Sequence, residues 1–227
     1  VTSAQPPETF AMETSTTGTS IGMEDQSEHE MCTEQDGFPL ETWHAFNAII
    51  NELPPENIPD PPVAMLPWLY LAPLHCVRNN AERLCQEFGI THVLSTNRMP
   101  PQVLESLYWE LRSNEIEHHY IPADDQLTYD MMAHWDECKN FLQDCRIYQG
   151  EECDEGRRTG KALVHCAAGM NRSGTIVAAA MMHFGEMDLL QVARELKAKR
   201  GYALSNSSFV RQLINFALKK GHLGKLD

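Results

Sequence analysis

The chain has 227 residues, 42% of them hydrophobic, which suits one ordinary domain with an appendage, or two very small domains. Its net charge of −14 is uneven: residues 1–60 carry 12 acidic side chains and no Lys or Arg, whereas 61–227 carry 20 acidic and 18 basic ones. No basic run or excess marks a nucleic-acid surface, no apolar stretch is long enough to span a bilayer, and no signal peptide is legible at the N-terminus.

Residues 1–37 are rich in Thr, Ser, Glu, Gly and Gln and nearly free of aromatics. Such a segment cannot bury enough apolar surface to offset its ordering entropy, so disorder is predicted. In 40–53 the pattern changes. Trp43, Phe46, Ile50 and Leu53 share one helical face, which predicts a short amphipathic helix packed on the domain that follows rather than reserved for a partner. Pro54, Pro55, Pro59, Pro61, Pro62 and Pro67 predict an extended, semi-rigid connector over 54–67. The chain is therefore divided into an acidic, largely disordered region, 1–60, and a folded domain, 61–227.

From residue 68 onward strands and helices alternate. Strands are predicted at Trp68–Leu71, His92–Thr96, His118–Pro122 and Lys161–His165. Helices are predicted at Asn79–Phe88, Val103–Arg112, Met131–Tyr148, Arg172–Phe184, Leu189–Lys199 and Ser208–Lys219. Glu151–Gly160 is a charged loop. The alternation predicts an α/β fold with a mostly parallel central sheet flanked by helices. Seven cysteines, at 32, 76, 85, 138, 145, 153 and 166, are an odd number without disulfide or zinc spacing. They point to a reducing cytosolic or nuclear compartment.

The chemistry gathers in Val-His-Cys-Ala-Ala-Gly-Met-Asn-Arg-Ser-Gly-Thr, Val164–Thr175, a glycine-containing turn between a strand and a helix. Backbone N–H groups in such a turn, joined by the free donors of the helix N-terminus, form an anion cradle. A thiol at its mouth is favoured as the thiolate, a strong nucleophile. An arginine at the far end offers a planar fork for two phosphate oxygens, which lysine could not match. The ligand that accounts for both ends is a phosphate monoester, attacked in line to give a cysteinyl-phosphate.

This stretch resembles the signature of cysteine-dependent protein phosphatases: His-Cys, five residues, Arg, Ser or Thr. Pro67–Ala72, Gly89–Leu94, Ile121–Asp125 and Leu204–Leu213 are similar to further segments of the dual-specificity branch, so the resemblance covers about residues 63–220. It implies the tyrosine phosphatase-like fold and a phosphoprotein substrate, with no cofactor and no metal. Cys166 would be the nucleophile and Arg172 the phosphate and transition-state ligand. Ser173 would hydrogen-bond the sulfur. Ala167, Ala168, Gly169, Met170, Asn171 and Arg172 would line the phosphate, and His165 would orient the loop. The acid for the leaving oxygen comes from another loop. Asp124 and Asp125 are both available, and the family pattern favours Asp125.

The sequence lacks the tryptophan-proline-aspartate loop and phosphotyrosine-clamping loop of classical tyrosine phosphatases, which implies a shallower pocket open to phosphoserine and phosphothreonine. The variable loop positions are uncharged, which disfavours phosphoinositides. Two alternatives stand beside this reading: a pseudophosphatase that binds phosphoproteins without turnover, and a phosphatase for non-protein esters such as RNA 5′ ends or glucans.

Overall fold

The computed structural model describes residues 37–56, 60–147 and 160–225. The disorder expected of 1–37 and the charged loop from 151 therefore fall almost wholly outside the described residues.

Five strands form one sheet: β1 (Val63–Leu66), β2 (Leu69–Pro73), β3 (His92–Ser95), β4 (Glu117–Tyr120) and β5 (Ala162–Cys166). Their order is β1-β2-β5-β3-β4. β1 runs antiparallel to β2, and the other pairs are parallel. The mostly parallel sheet was expected; β1 was not, because it lies in the stretch read as a proline connector. Pro61 and Pro62 precede the strand rather than interrupt it, and Val63 and Met65 point inward while Ala64 is exposed. That period of two is one of burial only; Val-Ala-Met-Leu is apolar throughout and carries no alternation in sequence. β2 also reaches two residues past the predicted end, to Pro73, which lies beside Cys166. β4 ends before the predicted Pro122.

Seven helices surround the sheet among the described residues: α1 (Leu40–Asn51), α2 (Ala81–Phe88), α3 (Pro101–Ser113), α4 (Trp135–Ile147), α5 (Arg172–Gly185), α6 (Leu189–Arg200) and α7 (Ser207–Lys220). Pro101 sits in the first turn of α3, where a missing N–H costs nothing, so this helix starts earlier than predicted. Ahead of α4, the predicted helical run is a short 3₁₀ turn, Met132–His134.

Alternate strand residues feed two cores. Leu69, Leu71, Leu94, Ala162 and Val164 pack with α1, α4, α5, α6 and α7. Ala72, Val93 and Leu163 pack with α2 and α3. β5 is central and fully buried, and α5, which follows its loop, is buried from Ser173 to Met182. The loop is therefore anchored at both ends by the best-packed parts of the molecule.

Helix α1, which composition places with the acidic region, lies in the same compact unit as the sheet, a unit that begins at Phe38. Phe46 is fully buried and Ile50 nearly so, whereas Leu53 lies past the helix end and is 91% exposed. The buried Lys197 of α6 donates to the carbonyls of Ile50 and Glu52 at the C-terminus of α1, where a cation also complements the helix dipole. Phe46→Ala is expected to cost about 3–5 kcal/mol, read as a lower denaturant midpoint. A loss below about 1 kcal/mol would mean that α1 merely rests on the domain. By the same packing, a chain shortened to 61–227 is expected to be markedly less stable than the full chain.

Candidate active site

The loop from Cys166 to Arg172 leaves the C-terminal end of the central strand, the edge at which open α/β sheets bind ligands. Its carbonyls are tied from outside, one after another. Leu74 N–H donates to Ala167 O at 3.2 Å, and Leu204 N–H to Met170 O at 3.3 Å. The Arg200 guanidinium donates to Ala168 O at 2.8 Å and to Gly169 O at 3.3 Å. Thr175 donates to Asn171 O through both its N–H and its hydroxyl, each at 2.8 Å. A peptide plane sends its C=O and the next N–H to opposite sides. With the carbonyls of 167–170 held outward, the N–H groups of 168–171 turn into the loop. No side chain caps α5, so the amides of its first turn also remain available to an anion.

Gly169 is required twice over. Its φ is +65°, a region costly for other residues. A Cβ there would also meet the backbone of Ala72 and Pro73 at 2.6–2.7 Å.

Cys166 is 1% exposed, and Ser173 Oγ donates to its Sγ at 3.1 Å. Arg172 closes the far end. Its Nη1 donates to Ala123 O at 3.2 Å; its Nε is buried without a hydrogen bond and lies 3.7 Å from Asp125 Oδ2. The two adjacent aspartates face different ways. Arg98 grips Asp124 through Nε and Nη2 at 3.0 and 2.9 Å, and this fork holds its carboxyl below the usual carboxylate range. Asp125 turns to the Cys166–Arg172 loop and the segment before α7, where it accepts from Asn171 Nδ2 at 3.3 and 3.2 Å and from Asn206 Nδ2 at 2.9 Å. The structure thus gathers Cys166, Ser173, Arg172, Asn171 and Asp125 and directs Asp124 elsewhere.

His165 is fully buried behind the cysteine. Its Nε2 lies 2.7 Å from Ser95 Oγ, which lies 2.8 Å from His118 Nε2. Thr96 donates to the His165 carbonyl through N–H and hydroxyl. Burial drives His165 down to about 3 and His118 to about 4. An unfolded imidazole takes its proton near pH 6.5. Below that pH the unfolded state binds more protons than the folded one, so stability is present above it and lost as pH falls. Once pH is well below 6.5, each histidine is expected to remove up to about 1.4 kcal/mol per pH unit. A denaturant midpoint that stays flat from pH 7 to 5 would contradict this.

Two further cysteines, Cys138 and Cys145, are poor nucleophiles. Burial pushes the thiols of Cys138 and Cys145 up to about 12. Sequence reasoning missed Arg200, Asn206 and Arg98. Asn206 had a local signal, since it precedes the apolar run of α7 and caps it. Arg200 and Arg98 had none, because their partners lie about 30 residues away in the chain.

The model of the dual specificity phosphatase catalytic domain matches residues 69–219. Human dual specificity protein phosphatase 26 is 32% identical over 152 residues, 65% of this chain and 63% of its own. Mouse dual specificity protein phosphatase 22 is 34% identical over 161 residues, 70% of this chain and 74% of its own. The crystal structure of DUSP15 is similar with a TM-score of 0.55 and 29% identity, covering 69% of this chain and 87% of that one. Human DUSP28, at 21% identity and a TM-score of 0.57 over 74% of this chain and 99% of that one, shares the fold. The chain belongs to the dual specificity phosphatase family. It spans a little under two thirds of the length of phosphatase 26. No described helix is long and apolar enough to cross a membrane.

Proposed function

We propose that this protein is a cysteine-dependent phosphatase that removes phosphate from phosphotyrosine, phosphoserine and phosphothreonine in proteins. The observation that carries the reading is the loop itself: carbonyls tied outward from 167 to 171, a cysteine at one end and an arginine at the other. Such an arrangement suits a tetrahedral dianion and little else.

In the first step the Cys166 thiolate attacks phosphorus, an S–P bond forms, and the P–O bond to the substrate side chain breaks. The Asp125 carboxyl gives its proton to the departing oxygen. Arg172 and the loop amides stabilise the charge on the equatorial oxygens. In the second step Asp125 takes a proton from water, water oxygen attacks phosphorus, and the S–P bond breaks. Ser173, donating to sulfur, stabilises the thiolate as it leaves. Inorganic phosphate then departs.

Trapping tests this scheme. Acid quench during turnover of a phosphotyrosine peptide should leave phosphate on the peptide that contains Cys166. Turnover without any such adduct would sink the covalent reading. Failure to turn over any phosphopeptide, with binding retained, would favour the pseudophosphatase.

A further inference from the structure

We propose that the Asn171 side chain is the latch that fixes Asp125 at the phosphate loop, and that this latch determines how well the site handles phosphoserine and phosphothreonine relative to phosphotyrosine. The inference rests on the reading of Asp125 as the acid.

Asn171 occupies the N-cap position of α5. An asparagine there ordinarily turns its oxygen onto the first N–H groups of its own helix, but this one makes no such bond. It reaches across to two other segments instead. Its Oδ1 accepts from Ser205 N–H at 2.8 Å, Ser205 Oγ at 3.1 Å and Asn206 N–H at 3.3 Å. Its Nδ2 donates to both oxygens of Asp125. One planar amide therefore joins the phosphate loop, the acid loop and the segment before α7.

Residue type matters here. An aspartate could accept from 205 and 206 but has no proton for Asp125, and a serine is too short to serve both sides. Asn206 cannot take over. Its Nδ2 already donates to Asp125 Oδ1, and its Oδ1 accepts from Ser208 and Phe209 N–H at the start of α7. The competing partner for Asp125 is Arg172, 3.7 Å away, whose fork is needed by phosphate. Each carboxylate oxygen held by an amide is one less free to close on that guanidinium. The latch thus leaves Arg172 to the substrate and keeps the acid where a leaving oxygen emerges.

The selectivity follows from the leaving group. A tyrosine phenol loses its proton near pH 10, whereas a threonine alkoxide is far more basic and depends more on protonation as it departs. A well-placed acid is therefore worth most on alkyl phosphates.

The test is Asn171→Ala, measured on a phosphothreonine peptide, the matching phosphotyrosine peptide and p-nitrophenyl phosphate, beside Asp125→Asn and the double variant. The losses in kcat/KM expected for Asn171→Ala are about 10²-fold, about tenfold and about twofold in that order. In the Asp125→Asn background the same change should add almost nothing on phosphothreonine, because both act on one proton transfer. Asn171→Ser, which keeps a small polar side chain but cannot bridge, should reproduce the pattern if the alanine variant is too unstable to assay. Equal losses on all three substrates would make Asn171 a structural residue of the loop and overturn the latch while leaving Asp125 as the acid. A flat response of Asp125→Asn itself would remove the acid reading and the latch with it.

Discussion

Cys166→Ser is expected to lower turnover of every phosphomonoester by at least about 10⁴-fold, the scale on which loss of a covalent nucleophile is felt. A hydroxyl at that position is essentially never ionised at neutral pH and is a far weaker nucleophile than a thiolate. The binding apparatus stays in place. The loop carbonyls are tied by Leu74, Arg200, Leu204 and Thr175, none of which bonds to the sulfur, and Arg172 is held by Ala123. Phosphopeptide affinity should therefore survive, and the variant should retain intact phosphoprotein long enough to isolate it. Calorimetry with a phosphotyrosine peptide, alongside turnover, reads both quantities. Residual activity near that of the parent would end the covalent mechanism. Loss of affinity as well would mean that the thiol shapes the loop.

The second large effect is the split between the adjacent aspartates. Asp125→Asn is expected to slow phosphothreonine and phosphotyrosine peptides by about 10²–10⁴-fold and a highly activated aryl phosphate much less. It should also remove the basic limb of the pH–rate profile, which reports loss of the acid's proton. Asp124→Asn should be mild on both counts. The physical reason is the direction each carboxyl faces. Asp124 is forked by Arg98, a pairing that lowers its pKa and turns its carboxyl away from the loop. Asp125 lies against Asn171, Asn206 and Arg172. Reversed phenotypes would move the acid by one residue. Absence of any leaving-group dependence in either variant would place the acid elsewhere.

The alternation of strands and helices from residue 68 onward and the position of the Cys166–Arg172 loop could be read directly from the chain, because both are local. A buried strand, a glycine turn and a helix start are each written in contiguous residues, and the proposed nucleophile and the arginine lie within one loop. The strand β1 was hidden because six prolines crowd 54–67 and the four residues Val63–Leu66 are all apolar, leaving no alternation to read. Pairing with β2 decided the matter. The inward face of α1 was only half legible: Phe46 and Ile50 are buried as their spacing suggests, whereas Leu53 falls beyond the helix end.

What holds the loop in shape was not legible at all. Arg200 lies at the end of a helix some 30 residues from the carbonyls it ties, and Asn206 meets Asp125 across 81 positions of chain. Hydrogen bonds across such separations leave no period or spacing in a sequence. They exist only once the sheet has brought β5, the acid loop and the start of α7 to one edge. Sequence alone therefore located the nucleophile and the arginine proposed to carry the chemistry, since they lie within one contiguous loop. Only the tertiary structure decided which of two neighbouring carboxyls faces it and what keeps it there, because adjacent side chains on a turn point in different directions and their partners come from distant parts of the chain.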